Sequence, residues 1–180
     1  HWIGPPMHDS FQATSGMTAD EATDAVAFYR TLGKADGYAT GAKLFGGVDD
    51  LIRDISAAGI PQATASSKPE VQVAFLMDHF DLTQNFVEVV GASFDERAIS
   101  TKSEVLGEAL RRLTAAGVDT SRPVLIGDRH HDIEGAADFA VPVIFVRWGF
   151  SWPHESEGAY AVVETMAELR DLLLIEDTNG

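Results

Sequence analysis

The chain has 180 residues, 45% of them hydrophobic, and 28 acidic residues against 13 Lys and Arg give a formal net charge of −15. Nucleic acid and anionic membranes bind basic surfaces, so this charge argues against both as partners, although solubility alone also explains it. The absence of Cys excludes disulfides, thiolate–metal sites and Cys nucleophiles. No apolar run approaches the ~18 residues that span a bilayer, and no secretory signal pattern is present, so we expect a cytoplasmic protein.

Helical and strand patterns alternate along most of the chain. Apolar residues recur at helical spacing in several segments, and short apolar or β-branched runs lie between these segments. Capping boxes are expected at Thr18 with Glu21 and at Thr101 with Glu104. In chain order we predict a helix-like stretch within 1–16, a helix at 18–34 and a Gly-rich linker at 34–47. After the linker we predict a helix at 48–59, a strand at 60–67, a helix at 68–80, a strand at 86–92 and a helix at 101–117. The last predicted elements are a strand at 123–128, a helix at 132–140, a strand at 142–149 and a helix at 165–175.

The strands are continuous apolar runs, which is typical of a parallel sheet covered by helices on both faces. We therefore predict an α/β fold. Ligands of such sheets bind at the carboxyl ends of the strands. Polar residues occupy two of these ends, with Ser66, Ser67 and Lys68 after the first predicted strand and Asp128 after the third.

Two carboxylates lie where the third strand turns into a helix. Asp128 ends the strand, and Asp132 follows four residues later. They repel each other unless a cation lies between them, and Mg²⁺ prefers such hard oxygen ligands. The alternative is that Asp132 only caps the helix and Asp128 only ends the strand. The intervening His130 and His131 are poor zinc candidates, because adjacent side chains face different ways and no third nitrogen ligand is near in sequence.

Two further positions suggest an anion. The backbone N–H groups and hydroxyl of Ser66-Ser67-Lys68 can hold a phosphate, although a serine cap on the following helix explains them equally well. Lys102 lies in the first turn of a helix, where the macrodipole disfavours a cation. We expect an anion near Lys102 or, alternatively, a surface lysine with a snorkelling stem. If Lys102 serves an anion, Lys102→Met should leave stability unchanged or slightly higher while lowering kcat by orders of magnitude.

The order of these elements resembles the haloacid dehalogenase superfamily of phosphatases, and more narrowly its phosphoglycolate-phosphatase-like branch. The resemblance covers nearly the whole chain, with Phe150 and Ser151 in place of the branch's Tyr and Gly. The segments that carry it are I-G-P-P-M-H-D-S-F at 3–11, L-F-G-G-V at 44–48, A-S-S-K-P-E at 65–70, S-T-K-S-E-V-L at 100–106, I-G-D-R-H-H-D-I-E-G-A at 126–136 and W-G-F-S at 148–151.

The resemblance implies a Rossmann-like α/β core at 44–180 with a small helical cap at 1–43. It also implies Mg²⁺-dependent hydrolysis of a small phosphomonoester, such as a phosphoglycolate-like metabolite, through an aspartyl-phosphate. The cap would close over the site and select the substrate. Neither the substrate nor the oligomeric state has a readable signal in the sequence.

The same resemblance implies a role for each site residue. The implied catalytic residues are Ser66, Lys102 and Asp132. The implied substrate-binding residues are Ser67 and Lys68, and the implied metal ligand is Asp128. Ser66 would hydrogen-bond the phosphoryl oxygens, Lys102 would offset negative charge, and Asp132 would orient either the waters of the metal or Lys102.

The first hallmark of the family, a strand that ends in D-x-D-G-T and carries the nucleophile, has no match. F-D-L-T at 80–83 and F-D-E-R at 94–97 follow no suitable strand and come after Ser66. In the family this hallmark precedes the cap and forms a central strand, whose loss would leave unpaired backbone groups at ~1–3 kcal/mol each. We therefore expect a strand and a helix before His1 in the intact protein, and no catalysis by residues 1–180 alone.

Three other functions share some of these features. A phosphoacceptor receiver domain would place an acidic pair before the hydroxyl, and the order found here argues against it. A phosphotransferase acting on a protein and a non-catalytic binding protein that lacks the nucleophile both remain possible alternatives.

Overall fold

A computed structural model describes residues 7–35, 41–94, 99 and 101–174, apart from the side chains of residues 33–35. None of the helices within these ranges is long and apolar enough to cross a membrane. The helices are α1 (Met7–Ser15), α2 (Ala19–Ala35), α3 (Val48–Ala57), α4 (Glu70–His79), α5 (Lys102–Ala115), α6 (His130–Ala137) and α7 (Met166–Leu174), with a 3₁₀ turn at Thr83–Asn85. The strands are β1 (Ser66–Pro69), β2 (Gly91–Ala92), β3 (Leu125–Gly127), β4 (Val143–Val146) and β5 (Ala161–Val163).

The first two helices pack against each other. The predicted capping box precedes α2, where the carboxylate of Glu21 accepts a hydrogen bond from the backbone N–H of Thr18 at 2.9 Å. The guanidinium of Arg30 lies 4.8 Å from the ring centre of Phe94, which connects α2 to the segment after β2. The Gly-Pro-Pro segment at 4–6 lies outside the described residues, and the boundary between cap and core at residue 43 stays a prediction.

All strand pairs are parallel, which confirms the predicted α/β class. They form two sheets, one with the order β1-β2 and one with the order β3-β4-β5. Leu125 pairs with Val143, and Ile144 pairs with Ala161. Within the described part of the chain, β1 pairs only with β2 and β3 pairs only with β4. A sheet that lacks its central D-x-D-G-T strand is predicted to divide in this way.

Several elements differ from the sequence prediction, among them the second strand, which was predicted at 86–92 and covers only Gly91–Ala92. The strand predicted at 60–67 begins at Ser66 and extends to Pro69, and its register with β2 shifts between these two residues. Residues before it still run parallel to the second strand, since the N–H of Thr64 donates to the carbonyl of Glu88 at 3.1 Å. The helix predicted at 132–140 begins at His130, and β5 was not predicted.

The largest of the three buried clusters among the described residues lies around β4. All four residues of β4 are buried, and the buried Leu51 and Leu169 of the flanking helices belong to the same cluster as Ile144 and Val146. Such burial on both faces is expected of a central parallel strand. The β3 region is equally apolar in sequence, yet Val124 and Ile126 remain 43% and 41% exposed. The free edge of β3 therefore leaves apolar surface that an inner strand of a sheet would bury.

Candidate active site

Lys102 joins the two sheets. The capping box of Thr101 and Glu104 is formed, and Lys102 is the first residue of α5. Its Nζ donates to the carbonyl oxygen of Ala65 at 2.7 Å and lies 2.8 Å from Oδ1 of Asp132. Only 17% of the side chain is exposed, so the snorkelling alternative is wrong. A cation is tolerated at this helix N-terminus because a carboxylate neutralises it.

Asp132 is buried and uses both carboxylate oxygens. Oδ1 faces Lys102, and Oδ2 accepts hydrogen bonds from the backbone N–H groups of Asp128 and Arg129, each at 3.0 Å. A Cβ at Gly127 would lie 2.4 Å from Oδ2, so this close approach requires glycine. Asp132 thus orders the turn between β3 and α6. Both oxygens of Asp132 therefore have protein partners, the Lys102 ammonium on Oδ1 and two backbone N–H groups on Oδ2.

Asp128 is the carboxylate that fits a metal ion. It follows β3 directly and is partly exposed, and its Oδ2 accepts a hydrogen bond from the N–H of Phe150 at 2.6 Å. A Cβ at Gly149 would lie 2.2 Å from that oxygen, so the W-G-F-S turn can approach only because residue 149 is glycine. Magnesium sites commonly use one or two protein carboxylates together with water and phosphate. A fixed, partly exposed carboxylate at a strand end suits that pattern.

A buried ion pair that the sequence did not indicate supports this turn. Arg129 donates two hydrogen bonds to Glu155, at 2.8 and 3.1 Å, and both residues are buried. Burial alone would raise the pKa of Glu155, but the paired guanidinium outweighs it and holds the pKa at about 2. The pair ties the acidic turn to the segment after β4. Glu155 lies in no recognised motif, so only the tertiary structure identifies it.

The Ser66-Ser67-Lys68 segment forms β1 and does not cap a helix. The hydroxyl of Ser66 accepts a hydrogen bond from the N–H of Lys68 at 3.1 Å. The N-cap of α4 is Pro69, without a side-chain cap, so the serine-cap alternative is wrong. The carbonyl that receives Lys102 belongs to Ala65, the residue before Ser66. The phosphate-binding candidates and the acidic turn are therefore linked through one lysine.

The two histidines of the acidic turn do not diverge. The ring centres of His130 and His131 are 3.8 Å apart, with a 42° angle between the ring planes. The prediction that these neighbours face different ways is wrong, because the two rings lie in contact at the start of α6. Of the rejected nucleophile candidates, Asp81 adopts a left-handed backbone (φ 54°) beyond α4 and does not end a strand, and Asp95 lies outside the described residues.

Residues 1–146 match the family described as haloacid dehalogenase-like hydrolase. The tyrosine-protein kinase PtkA of Mycobacterium tuberculosis is 34% identical over 177 residues, which cover 96% of this chain and 58% of that protein. The phosphoglycolate phosphatase of Rhodospirillum rubrum is 30% identical over 176 residues, with 95% and 71% covered. The chain thus spans less than two thirds of the length of PtkA.

Solved structures agree with this match. The crystal structure of a predicted phosphatase from Clostridium acetobutylicum superimposes with a TM-score of 0.87 at 31% identity, and the match covers 96% of this chain and 79% of that one. The structure of PtkA gives a TM-score of 0.73 at 32% identity, with 97% and 80% covered. With most of its length matched in both sequence and structure, the chain belongs to the haloacid dehalogenase-like hydrolase family.

Proposed function

We propose that this protein is a Mg²⁺-dependent phosphatase that hydrolyses a small, phosphoglycolate-like phosphomonoester. One observation carries the proposal. Lys102 Nζ donates a hydrogen bond to the carbonyl oxygen of Ala65, next to Ser66, and forms an ion pair with the carboxylate of Asp132. That carboxylate accepts a hydrogen bond from the backbone N–H of Asp128. A hydroxyl, a cation and a metal-binding carboxylate are thereby linked at the ends of parallel strands, where α/β proteins bind ligands. The similarity to phosphoglycolate phosphatases supports the same class of reaction.

Asp128 would hold the Mg²⁺. The ion, when bound, supplies positive charge that attracts and polarises the phosphate oxygens. Asp132 would act on Lys102 and not on the waters of the metal, since its oxygens already contact the ammonium and two backbone N–H groups. These contacts support the second of the two roles that the family resemblance implies for Asp132, the orientation of Lys102.

The remaining side chains would contact the phosphoryl group. Ser66 would donate a hydrogen bond from its hydroxyl to a phosphoryl oxygen, with the N–H of Ser67 beside it. The exposed Lys68 would approach the substrate from solvent. Lys102 would offset the negative charge that accumulates as the nucleophile approaches phosphorus. Preorganised donors and charges of this kind lower the barrier because they need no rearrangement during the reaction.

The nucleophile of this scheme is the first aspartate of a D-x-D-G-T strand. We propose that this strand lies between β1 and β3, where it would cover the exposed Val124 and Ile126 and pair with both free edges. Its carboxylate would attack phosphorus and the ester P–O bond would break, while the second aspartate of the same motif would give a proton to the leaving alcohol oxygen. Water would then cleave the aspartyl-phosphate and release inorganic phosphate.

We further propose that residues 1–43 form the cap that selects a small phosphorylated metabolite in the cytoplasm, without a nucleic-acid or membrane partner. Replacement of residues 1–35 of the full-length protein by the cap of a related phosphatase should change the preferred phosphoester. Hydrolysis of a small generic ester should persist, because the cap supplies specificity and not chemistry. An unchanged substrate profile would argue against a specificity role.

The metal assignment can be tested with Asp128→Asn in the full-length protein. Phosphate release is measured against Mg²⁺ concentration, and thermal melting is recorded alongside. We expect a sharply higher Mg²⁺ requirement and lower turnover with an unchanged melt, because the amide keeps an oxygen for the Phe150 N–H but loses the charge. The exposed Asp171 of α7 provides the control, Asp171→Asn. Unchanged Mg²⁺ dependence of Asp128→Asn would show that the ion binds elsewhere.

A second function is favoured by one observation, the 34% identity to the tyrosine-protein kinase PtkA. Transfer of a phosphoryl group to a protein would use the same residues, with a side-chain hydroxyl in place of water as the acceptor. A product assay separates the alternatives, since a phosphatase releases free phosphate and a phosphotransferase yields a phosphoprotein. If the folded full-length protein formed neither product, a non-catalytic binding protein would be favoured.

A further inference from the structure

A cluster of metal-ligating side chains lies on α6 and has no part in the proposed phosphatase chemistry. His130 and His131 open the helix, and Glu134 follows one turn later. Residues three and four apart lie on the same face of a helix, so the carboxylate comes near both rings. One ligand atom from each of the three residues lies within 4.8 Å of the others. All three side chains are at least partly exposed, so an ion in solution can reach them.

The chemistry of this set differs from that of the Asp128 site. Two imidazoles and one carboxylate form a ligand set that zinc uses with a fourth position left open to water. Mg²⁺, in contrast, prefers oxygen ligands throughout. The two neighbouring groups of ligands should therefore bind different ions, with the nitrogen-rich cluster taking a transition metal.

A second observation supports metal binding at His130. Its Nδ1 is buried and lies 3.2 Å from Oε1 of Glu155, but it is out of line for a hydrogen bond. Histidines that ligate metals commonly direct the second ring nitrogen to a carboxylate, which fixes the tautomer and leaves Nε2 for the ion. Glu155 is already held by Arg129 and provides such a carboxylate. A small ring rotation would complete this hydrogen bond.

We propose that His130, His131 and Glu134 bind a Zn²⁺-type transition-metal ion, at a site separate from the Mg²⁺ site of Asp128. Glu155 would orient His130 from behind. The donor atoms would move somewhat closer together on binding, which the partly exposed His131 and the 70% exposed Glu134 permit.

The test is a calorimetric Zn²⁺ titration of the chelator-treated, full-length protein in excess Mg²⁺. We expect one Zn²⁺ per chain, with affinity lowered about tenfold or more in His131→Ala and in Glu134→Gln. The matched controls, His79→Ala at the end of α4 and Glu164→Gln beyond β5, should bind Zn²⁺ as the parent does. Cu²⁺ provides a spectroscopic readout, because its electron paramagnetic resonance should show coupling to two imidazoles in the parent and to one in His131→Ala.

Glu134 is exposed, so Glu134→Gln should fold, and a thermal melt of each variant verifies this. Parent-like Zn²⁺ affinity in both His131→Ala and Glu134→Gln would overturn the proposal. So would Zn²⁺ binding that Mg²⁺ displaces and that only Asp128→Asn abolishes, because the ion would then occupy the Mg²⁺ site. These outcomes do not depend on phosphatase activity.

Discussion

Lys102→Met tests the contact that links the two halves of the candidate active site. The substitution removes the 2.8 Å ion pair with Asp132 and the 2.7 Å hydrogen bond to Ala65. Asp132, only 5% exposed, would keep two backbone N–H donors but no cation. Removal of one partner of a buried ion pair costs about 3–5 kcal/mol. Because 17% of the lysine side chain is exposed, we expect a value at the lower end of that range.

An opposing effect is smaller. Loss of a cation from the first turn of α5 should return about 0.3–1 kcal/mol, since the helix dipole disfavours positive charge there. The net loss of unfolding free energy is therefore about 2–4 kcal/mol. This reverses the expectation from sequence, which considered the dipole alone and predicted unchanged or slightly higher stability. The same variant should lower kcat by about 10²–10³-fold, as loss of a preorganised charge does.

Urea unfolding of the parent and the variant measures the stability effect, provided that the m-value stays constant. Lys43→Met, at an exposed position, is the control and should fall within about 0.5 kcal/mol of the parent. Adding Asp132→Asn to Lys102→Met should recover about 1–3 kcal/mol, because the amide still accepts a backbone hydrogen bond but carries no unpaired charge. A Lys102→Met protein as stable as its parent would refute this account of the ion pair.

Two further predictions concern the turn around Asp128. Gly149→Ala should weaken Mg²⁺ binding, because its Cβ would lie 2.2 Å from the Asp128 carboxylate. The control Gly46→Ala should not, because a Cβ at Gly46 meets open space. The activity of both variants is titrated with Mg²⁺ to compare their metal requirement. Glu155→Gln should destabilise the fold by about 3 kcal/mol at neutral pH, because the buried Arg129 guanidinium loses the charge of the Glu155 carboxylate. Since pairing holds the folded-state pKa of Glu155 at about 2, below the ordinary 4.5, its contribution is present above pH 4.5 and is lost as the pH falls toward 2. Parent and variant should therefore converge in acid unfolding experiments, and a gap that widens in acid would contradict the assignment.

The sequence by itself determined the class of the fold and the order of the site elements. Parallel α/β organisation follows from continuous apolar runs between helical patterns, and both capping boxes form where Ser/Thr-x-x-Glu predicts them. These features depend on residues within one or two helical turns, so local pattern is sufficient. The acidic turn at 126–136 and Lys102 at a helix start were found for the same reason.

Only the tertiary structure decided which of these residues act together. Lys102 meets Asp132 across 30 positions and Arg129 meets Glu155 across 26, and no local pattern encodes such pairs. The sequence left Asp132 with two roles, and its two occupied oxygens favour the one that acts on Lys102. Contacts between distant segments depend on how helices and strands pack, because packing brings side chains within hydrogen-bond distance whatever their separation along the chain.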